Sequence, residues 1–363
     1  MDKKIRIIGI IAAVAASVAI ILSPSDPVVI PQPVTTPTGT KSVEIVATNL
    51  QKPWAMDFTD DRIFLTEKVG RIRVIDSGSL VEEPLANLRV ADVADGGLMG
   101  IALHPDFENN HYLYAFYTYS EDNKLWNKII KITESENKLV DATVILDKIP
   151  GAEFDNGGVI KFGPDKKLYI GIGDATDEHA AQDLQSPLGK ILRLNDDGTI
   201  PADNPFSGSA VFSYGHRNPQ GMAWDESGNL YMTEHGPTKN DELNLVKAGQ
   251  NFGWPEQECG GHEGFVDAIS CYNPSLEPAG MVFYSSDKLD LGNDLIMASL
   301  RGTNLYQITV KGDETSQKSI LGGVGRIRDV NEGPDGYLYI LTGNTDGRGF
   351  PDKTDDRLLR IVK

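Results

Sequence analysis

The sequence predicts an all-β fold, a six-bladed β-propeller with four-stranded antiparallel blades, and two observations carry this prediction. A turn rich in Asp, Gly, Pro or Asn, followed by a short strand of apolar and aromatic residues, recurs six times along the chain. The spacing of the copies allows about one four-stranded sheet per interval. Stretches with helical periodicity are hard to find after residue 42.

The repeated motif recurs because each blade needs the same tight turn leading into a buried strand. A turn followed by an alternating apolar run is a hairpin signal. An irregular β-sandwich whose hairpins resemble one another by chance is the alternative, and the number and order of the copies favour the propeller. The copies begin at Phe58, His104, Phe162, Ala223, Gly292 and Gly333.

The amino-terminal segment differs in composition from the rest of the chain. Residues 7–22 are apolar apart from one glycine and one serine, and three basic residues precede them. The pattern is typical of a signal peptide or an uncleaved membrane anchor over residues 1–22. Residues 23–42 are rich in Pro, Thr and Ser, which predicts an extended tether. The folded domain over residues 43–363 is therefore expected outside the cytoplasm, secreted or anchored to the outer face of the membrane.

The charge composition excludes one class of partner. The 363-residue chain has 34 Lys and Arg against 52 Asp and Glu, which gives a formal net charge of −18 at pH 7. Such a surface repels a phosphate backbone, so nucleic acid is not an expected partner. Most of the acidic excess is expected to serve solubility, although a few carboxylates could hold a divalent cation.

The two cysteines, Cys259 and Cys271, lie in a loop-like stretch. In an exported protein a disulfide between them is the favoured interpretation. A metal site that includes His262 is the alternative, and it lacks a convincing fourth ligand.

Four arginines flank the repeats, in positions where a propeller brings its loops to the central channel. Arg326 and Arg328 are two apart, so on a strand they project to the same face. Guanidinium groups gathered from three segments would form a receptor for a planar, multiply charged anion. Pairing with surface acids is the alternative for each of them. The four are Arg217, Arg301, Arg326 and Arg328.

The stretch TEHGPTKNDELNLV indicates a second kind of site. Gly236 and Pro237 interrupt a strand and can present free backbone carbonyls, and Asp241 and Glu242 follow closely. Carbonyl and carboxylate oxygens are the ligands that Ca²⁺ takes. An ordinary turn with solvated acids is the alternative.

Several motifs in one order resemble a known family. YGHRNPQGMAW, TEHGP followed by NDELNLV and NFGWP, GGLMGIALHPDF, KFGPDKKLYIGIGD and GRIRDV together are similar to the soluble quinoprotein glucose/sorbosone dehydrogenases, the pyrroloquinoline quinone (PQQ) dependent aldose sugar dehydrogenases. The similarity extends from about Val43 to Lys363. It implies a six-bladed propeller with PQQ and Ca²⁺ in the central cleft. It also implies oxidation of an aldose at C1 to the lactone, with electrons passing to an external acceptor.

The resemblance assigns roles residue by residue. Arg217 and Asn218 would contact PQQ near its quinone edge, and His235 would lie close to the ring plane. The implied cofactor-binding residues are Asp95, Arg217, Asn218, His235, Arg301, Arg326 and Arg328. The carbonyls of Gly236 and Pro237 would hold the Ca²⁺ that bridges to PQQ, and Asp241, Glu242 and the carbonyl of Phe252 would bind further structural calcium.

The chain departs from the family pattern at the catalytic base. The family has a histidine where this chain has Asp155, and Asp174 matches the aspartate that orients the base. Other departures are Asp95 for glutamine or glutamate, Arg301 for lysine, and Gly343 for aspartate. Arg217 is implied to steady charge on the quinone oxygen.

An aspartate is by itself the weaker base. Its ordinary pKa is about 3.9, against about 6.5 for histidine. The carboxylates of Asp174 and PQQ raise the pKa of Asp155, whereas arginines and Ca²⁺ lower it, and the sequence does not fix the sum. Three outcomes are therefore open: a working carboxylate base, a slowed enzyme, or a PQQ-binding propeller without turnover.

Two other classes of function are compatible with the fold. One is an extracellular binding or adhesion propeller without the cofactor, and the other is a calcium-dependent sugar lactonase. The arginine-rich cleft argues against the lactonase, and the joint presence of YGHRNPQG, EHGP and GRIRD argues against a bare scaffold. The expected partners are an aldose and an external electron acceptor, a membrane only through the amino-terminal segment, and a homodimer is left open.

Overall fold

A computed structural model describes residues 41–312 and 314–363 of the chain. Among these residues there are 25 strands, one short α-helix over Phe107–Asn110 and one 3₁₀ turn over Glu178–Gln182. The strands form six antiparallel sheets, which confirms the predicted six-bladed β-propeller. The predicted signal or anchor and most of the predicted tether lie outside the described residues. No helix in the described part of the chain is long and apolar enough to cross a membrane.

The chain enters the propeller through β1 (Ser42–Ala47) and then builds the blades in order. In each blade the first strand lies at the inner edge and the chain moves outward strand by strand. Blade 1 has two short strands in its outermost position. Blade 1 comprises β2 (Pro53–Phe58), β3 (Arg62–Glu67), β4 (Arg71–Asp76), β5 (Ser79–Leu80) and β6 (Ala86–Asn87), and blade 2 comprises β7 (Leu98–Leu103), β8 (Tyr112–Glu121), β9 (Lys124–Ser135) and β10 (Lys138–Pro150).

The next three blades repeat the same antiparallel order. Blade 3 comprises β11 (Gly157–Phe162), β12 (Leu168–Ile172), β13 (Lys190–Leu194) and β14 (Val211–Tyr214). Blade 4 comprises β15 (Pro219–Trp224), β16 (Leu230–Glu234), β17 (Asp241–Val246) and β18 (Ser270–Tyr272). Blade 5 comprises β19 (Pro278–Tyr284), β20 (Asp294–Ser299), β21 (Asn304–Lys311) and β22 (Glu314–Gly322).

The last blade closes the ring with the first strand of the propeller. Blade 6 comprises β23 (Ile327–Glu332), β24 (Leu338–Thr342) and β25 (Leu358–Val362), and β1 pairs antiparallel with β25 as its outermost strand. Hydrogen bonds between the two ends of the domain therefore hold the propeller shut.

The inner strands pack side by side around the axis, and this crowding explains their small residues. β2, β7, β11, β15, β19 and β23 each contact the next strand of the ring, and β23 contacts β2. A Cβ atom on Gly221 would lie 2.3 Å from the carbonyl oxygen of Ala279, so only glycine allows these strands to approach as they do. The third residues of the six inner strands are Ala55, Gly100, Val159, Gly221, Gly280 and Asp329.

The six predicted motif copies fall at equivalent places in the blades. Each copy covers the turn between the inner and the second strand of its blade, followed by the second strand itself. That strand is apolar because it is buried between neighbouring blades, as with β12, of which all five residues are buried. The predicted disulfide also forms, and it links Cys271 in β18 to Cys259 in the preceding loop.

Candidate active site

A cleft opens at the hub, at the end where the inner strands begin and the second strands end. It has an axial part of about 750 Å³ and a lateral part of about 870 Å³. Asp95, Asn218, His235 and Arg348 line both parts, so the two form one continuous site. Propeller geometry collects these residues because the ends of all six blades converge on the axis.

The axial part of the cleft is cationic in a strongly acidic protein. Five basic side chains line it against two acidic ones, although the whole chain has a formal net charge of −18. Such a focus of charge in a cleft attracts anions. The basic residues are Lys52, Lys68, Arg326, Arg328 and Arg348, and the acidic ones are Asp95 and Asp346.

Arg326, directly before β23, and Arg328, within it, both line the axial part, as their spacing of two residues predicted, but their surroundings differ. Arg326 pairs with Asp346 at 2.9 Å and with Glu277 at 3.1 Å, so its charge is balanced within the protein. Arg328 has no such partner among the residues that the structure describes, and its guanidinium lies over the ring of Trp54 at 5.2 Å. Burial and the charge of Arg326 lower the pKa of Arg328 to about 10. Arg328 therefore carries a half-buried charge that a bound anion would stabilise.

Asp155 lies at the wall of the lateral part, directly before β11. Its Oδ2 accepts a hydrogen bond from Arg217 Nη2 at 2.6 Å, and its Oδ1 accepts one from Asn218 Nδ2 at 3.1 Å. Its backbone is in the left-handed region, with φ at 59°. Each carboxylate oxygen can accept two hydrogen bonds, so both keep a lone pair for a further donor.

The surroundings of Asp155 raise its pKa above the ordinary range. Burial is the largest cause, the charge of Arg217 opposes it, and the nearby charge of Asp95 adds to it. The sequence did not fix the direction of the net pKa shift of Asp155. In the protein chain alone that shift is upward, which makes Asp155 a stronger base than an exposed aspartate.

Asp174 lies close to this carboxylate but is held by other groups. Its Oδ1 accepts from the backbone N–H of Thr176 and its Oδ2 from Trp254 Nε1, both at 2.8 Å. Its own N–H donates to the carbonyl oxygen of Arg217 at 2.8 Å. Burial, with a further contribution from the charge of Asp155, raises the pKa of Asp174 to about 6. Asp174 thus acts on Asp155 through charge and through the backbone of Arg217.

Replacing Asp174 with asparagine should make the protein relatively more stable as the pH rises. The folded state raises the pKa of Asp174 from 3.8 to about 6, so this group's contribution to stability is complete below pH 4 and is lost as the pH rises through 6. The free energy of unfolding of Asp174→Asn, relative to the unaltered protein, should increase by up to about 3 kcal/mol between pH 4 and 8. Urea unfolding at several pH values measures this.

The exposed neighbour Asp177 supplies the control for this prediction. Asp177→Asn should show no such trend with pH, because its side chain lies in solvent and makes no capping hydrogen bond. A difference between Asp174→Asn and the unaltered protein that stays constant from pH 4 to 8 would contradict the raised pKa.

The structure separates the two acids of the expected calcium stretch. Asp241 and Glu242 are adjacent on β17, so their side chains lie on opposite faces of blade 4. Asp241 accepts hydrogen bonds from the N–H groups of Gly236, Leu276 and Glu277 and from Ser275 Oγ, at 2.7 to 3.0 Å. Its carboxylate is thus already occupied by four protein donors.

Glu242 faces a second, smaller cavity of about 260 Å³. Glu234 lies directly opposite it on β16, and burial together with that charge raises the pKa of Glu242 to about 8. The buried Oδ1 of Asn244, on the same face, has no hydrogen-bond partner. No group of three or more His, Cys, Asp or Glu side chains suited to a metal occurs among the described residues, so an ion here would need backbone carbonyls as well. Gly236, Pro237, Glu242 and Phe252 line this cavity, as do Glu234 and Glu258.

The carbonyl of Gly236 already has a partner. Arg217 Nη1 donates to it at 2.9 Å and to the carbonyl of His235 at 3.2 Å. An ion bound at Gly236 and Pro237 would therefore share this oxygen with Arg217.

The other expected cofactor residues lie around the cleft. His235 lines both parts, its Nε2–H donates to the carbonyl of Pro278 at 2.9 Å, and burial lowers its pKa, which favours the neutral ring. Arg301 is exposed at the lateral part. Asp95 pairs with Arg348 at 3.5 Å. Where the family has an aspartate at the position of Gly343, a carboxylate reaches the cleft from Asp346 instead.

Several cleft residues were not predicted from the sequence. Lys68 directly follows the second strand of blade 1, as His235 follows the second strand of blade 4, so the register of the repeats could have identified it. Burial lowers the pKa of Lys68 to about 8. Arg348 and Trp54 carry no comparable signal, because they lie in a loop and at the start of an inner strand. The residues missed include Lys52, Trp54, Lys68, Gln220, Asp346 and Arg348 in the cleft, and Trp254 beside Asp174.

The fold and the site together define a propeller with a cationic cleft at its hub, beside two carboxyl groups whose pKa values are raised. A family model described as glucose/sorbosone dehydrogenase matches residues 50–360. This chain belongs to that family, as its motifs indicated.

Two characterised relatives and one solved structure are similar to this chain. Aldose sugar dehydrogenase YliI of Escherichia coli (strain K12) is 33% identical over 342 residues, which span 85% of this chain and 92% of that protein. Quinoprotein glucose dehydrogenase B of Acinetobacter calcoaceticus is 37% identical over 250 residues, 58% of this chain and 52% of that protein. The PQQ-bound form of aldose sugar dehydrogenase from Streptomyces coelicolor matches with a TM-score of 0.80 and 36% identity, covering 90% of this chain and 99% of that one.

Proposed function

We propose that this protein is a PQQ-dependent dehydrogenase that oxidises an aldose at C1 to the lactone and passes the electrons to an external acceptor. The observation that carries the proposal is the cationic hub cleft next to the buried cluster of Asp155, Asp174 and Arg217. Family membership and the similarity to a PQQ-bound aldose sugar dehydrogenase support it.

The residues of the axial part fit a trianionic planar cofactor. Arg328 has no ion-pair partner among the described residues, and burial lowers the pKa values of Arg328 and Lys68, so a bound anion would stabilise both charges. Arg326, Arg328, Arg301 and Lys68 would bind the carboxylates of PQQ, and Arg217 and Asn218 would lie near its quinone edge. When bound, PQQ supplies a two-electron acceptor for the hydride from C1.

The protein's own groups then manage the proton and the charge. Asp155 accepts the proton of the anomeric hydroxyl on a free lone pair, because it lines the lateral part and its pKa is raised. Arg217 holds Asp155 in place and offers positive charge where negative charge develops on the quinone oxygen. The pKa of Asp174 is raised to about 6, so Asp174 still carries a negative charge at neutral pH. This charge lies near Asp155 and maintains the basicity of Asp155.

Reconstitution tests the proposal directly. The apo protein should bind PQQ saturably in the presence of Ca²⁺ and then reduce an artificial electron acceptor with at least one member of a panel of aldoses. The product should be the lactone, detected by its hydrolysis to the aldonic acid. Apo protein without PQQ is the control, and absence of saturable PQQ binding would remove the proposal.

A second candidate function is a PQQ-binding propeller without turnover. One observation favours it: Arg217 forms an ion pair with Asp155 at 2.6 Å, and this attraction opposes protonation of the position where the family has a histidine. Tight PQQ binding with no dye reduction for any aldose would assign this function instead.

Calcium is part of the proposal at the cavity beside Glu242. Opposed carboxylates and an unpaired amide oxygen fit a hard cation, which would relieve the repulsion between Glu234 and Glu242. Free Ca²⁺ at 100 times its Kd should therefore stabilise the apo protein by about 2.7 kcal/mol. The stabilisation should be lost in Glu242→Gln, and thermal unfolding with Ca²⁺ or a chelator measures it.

The exposed Glu256 provides the matched control for the calcium site. Glu256→Gln should keep the full response to Ca²⁺, since this side chain lies in solvent. Without Ca²⁺, Glu242→Gln should be no less stable than the unaltered protein at neutral pH, because burial and the charge of Glu234 raise the pKa of Glu242 to about 8, and the amide then replaces a largely protonated carboxyl group. An equal Ca²⁺ response in both variants would place the ion elsewhere.

We also propose an extracytoplasmic location for the folded domain. The apolar segment over residues 7–22 and the disulfide between Cys259 and Cys271 support it, since disulfides persist in oxidising compartments. Cell fractionation of the full chain, with and without residues 1–22, tests both export and anchoring.

A further inference from the structure

Three hydrogen bonds join Arg328 to Asp155 through two side-chain amides. Arg328 Nη1 donates to Gln220 Oε1 at 2.9 Å, and Gln220 Nε2 donates to Asn218 Oδ1 at 2.9 Å. Asn218 Nδ2 then donates to Asp155 Oδ1 at 3.1 Å. The series runs from blade 6 to the strand of blade 4 and on to the loop before blade 3. It connects the axial part of the cleft to the lateral part.

The two ends of the series fix the orientation of both amides. Arg328 can only donate, so Gln220 must present its oxygen to it and its NH₂ to Asn218. An ionised Asp155 can only accept, so Asn218 must present its NH₂ to the carboxylate. The N–H of Gly157 also donates to Asn218 Oδ1, at 3.0 Å, which holds the same orientation. Every bond in the series therefore points the same way, and bonds in such a series polarise one another.

Gln220 is placed to serve this series and has no other side-chain partner among the described residues. It is 7% exposed, and it lines both the axial cleft and the small cavity below it along the axis. The equivalent position in β19 is Ala279 and in β7 is Met99, which shows that the fold of an inner strand does not demand an amide here.

We propose that Gln220 is a positioning residue that couples the cofactor-binding Arg328 to the base Asp155. An anion that engages Arg328 fixes its guanidinium, which fixes the Gln220 amide and thereby the donor that Asn218 offers to Asp155. Occupation of the axial part thus sets the geometry and basicity of the carboxylate in the lateral part. This inference rests on the proposed function, since Arg328 is taken to bind the cofactor.

Removing the amide of Gln220 has a defined consequence for Asp155. Without it, Asn218 Oδ1 keeps only the N–H of Gly157, and the Asn218 amide is less firmly held. The donor to the charged form of Asp155 then weakens, which raises the pKa of the carboxyl group. The charged groups that face Asp155 are Arg217, Asp95 and Asp174, and none of them is altered by the substitution.

The test uses two variants of Gln220 that remove different hydrogen bonds of its side chain. Gln220→Met keeps the volume and removes both bonds. Gln220→Glu keeps an acceptor for Arg328 and loses the donor to Asn218. Gln185→Met is the control, because it makes the same substitution at an exposed glutamine.

The first measurement is made on apo protein and does not depend on PQQ. The carboxyl signal of Asp155, assigned by its loss in Asp155→Asn, is titrated by ¹³C NMR. Its pKa should rise by about 0.5 to 1 unit in Gln220→Met, the loss expected for one neutral hydrogen bond, and by at least as much in Gln220→Glu, whose added negative charge also raises it. It should not change in Gln185→Met. An unchanged pKa in both Gln220 variants would overturn the coupling.

The second measurement is a double-mutant cycle in PQQ affinity. The factor by which Asp155→Asn changes the Kd for PQQ should differ at least about threefold between the normal and the Gln220→Met background, a coupling above the usual error of additivity. Equal factors, together with a lower apo Tm for Gln220→Met, would show that Gln220 only fills space. If the unaltered protein binds no PQQ, the second measurement removes the proposed function, whereas the first still decides whether Gln220 controls Asp155.

Discussion

Replacing Asp155 with asparagine should lower kcat for aldose oxidation by about 10²- to 10⁴-fold, the usual contribution of a general base. Asparagine keeps the shape and tolerates the left-handed backbone at this position, where φ is 59°. It still accepts from Arg217 or Asn218, so the wall of the cleft remains intact. PQQ affinity should not decrease, because loss of the carboxylate leaves Arg217 with more unbalanced charge for an anion. Steady-state kinetics and PQQ titration on the same preparation measure both quantities.

The histidine variant of the same position separates a tuned base from an impaired one. Asp155→His restores the residue that the family uses and frees Arg217 Nη2 from its ion pair. Histidine also tolerates a positive φ better than most residues. We expect a lower kcat than in the unaltered protein if burial has tuned Asp155 as a base. An increase would show that the aspartate slows an otherwise intact enzyme, and unchanged kcat in Asp155→Asn would exclude Asp155 as the base.

Replacing Arg328 with methionine should weaken PQQ binding by roughly 2–5 kcal/mol, which is about 30-fold to several thousand-fold in Kd, the loss seen for one partner of a buried charge pair. Arg328 lines the axial part of the cleft without an acidic partner among the described residues, and its pKa is lowered to about 10 by burial and by Arg326. Its removal takes an unbalanced charge out of the apo protein. The free energy of unfolding without PQQ should therefore stay the same or increase while affinity falls.

The opposite signs of these two effects make the Arg328 prediction specific. A variant that merely unfolds the hub would lose stability and affinity together. Arg89 is an exposed arginine that lines neither part of the cleft, and Arg89→Met should leave both quantities unchanged. Fluorescence titration with PQQ and urea unfolding of the apo proteins provide the two measurements. Full PQQ affinity in Arg328→Met would show that the cofactor lies elsewhere.

Much of the fold could be predicted because a propeller is built from local repeats. The turn and second strand of each blade are short and contiguous, so their pattern is visible along the chain. The shared direction of Arg326 and Arg328 was predictable for the same reason. Residues two apart in an extended segment lie on the same face, whatever surrounds them. The disulfide was predictable because both cysteines lie within one loop and its edge strand.

For the site, the sequence could predict which residues several of its members are, but not which groups they contact. Lys68 follows the repeat register and could have been found, whereas Arg348 and Trp54 come from places that share no pattern with the other cleft residues. The alternation of β17 could have shown that Asp241 and Glu242 face opposite ways, but their partners come from other strands and loops. Asp241 is occupied by groups of residues 275–277, and Glu242 is opposed by Glu234 on the neighbouring strand.

The sequence by itself determined the blade count, the disulfide and the presence of arginines that face a common channel, because each depends on spacing along the chain. Closure of the ring alone decided which groups meet at the hub. It placed Arg217 against Asp155, left Arg328 without an acid, and raised the pKa of two carboxyl groups by burying them. These outcomes depend on distance and desolvation between residues from different blades, and neither quantity exists until all six blades surround one axis.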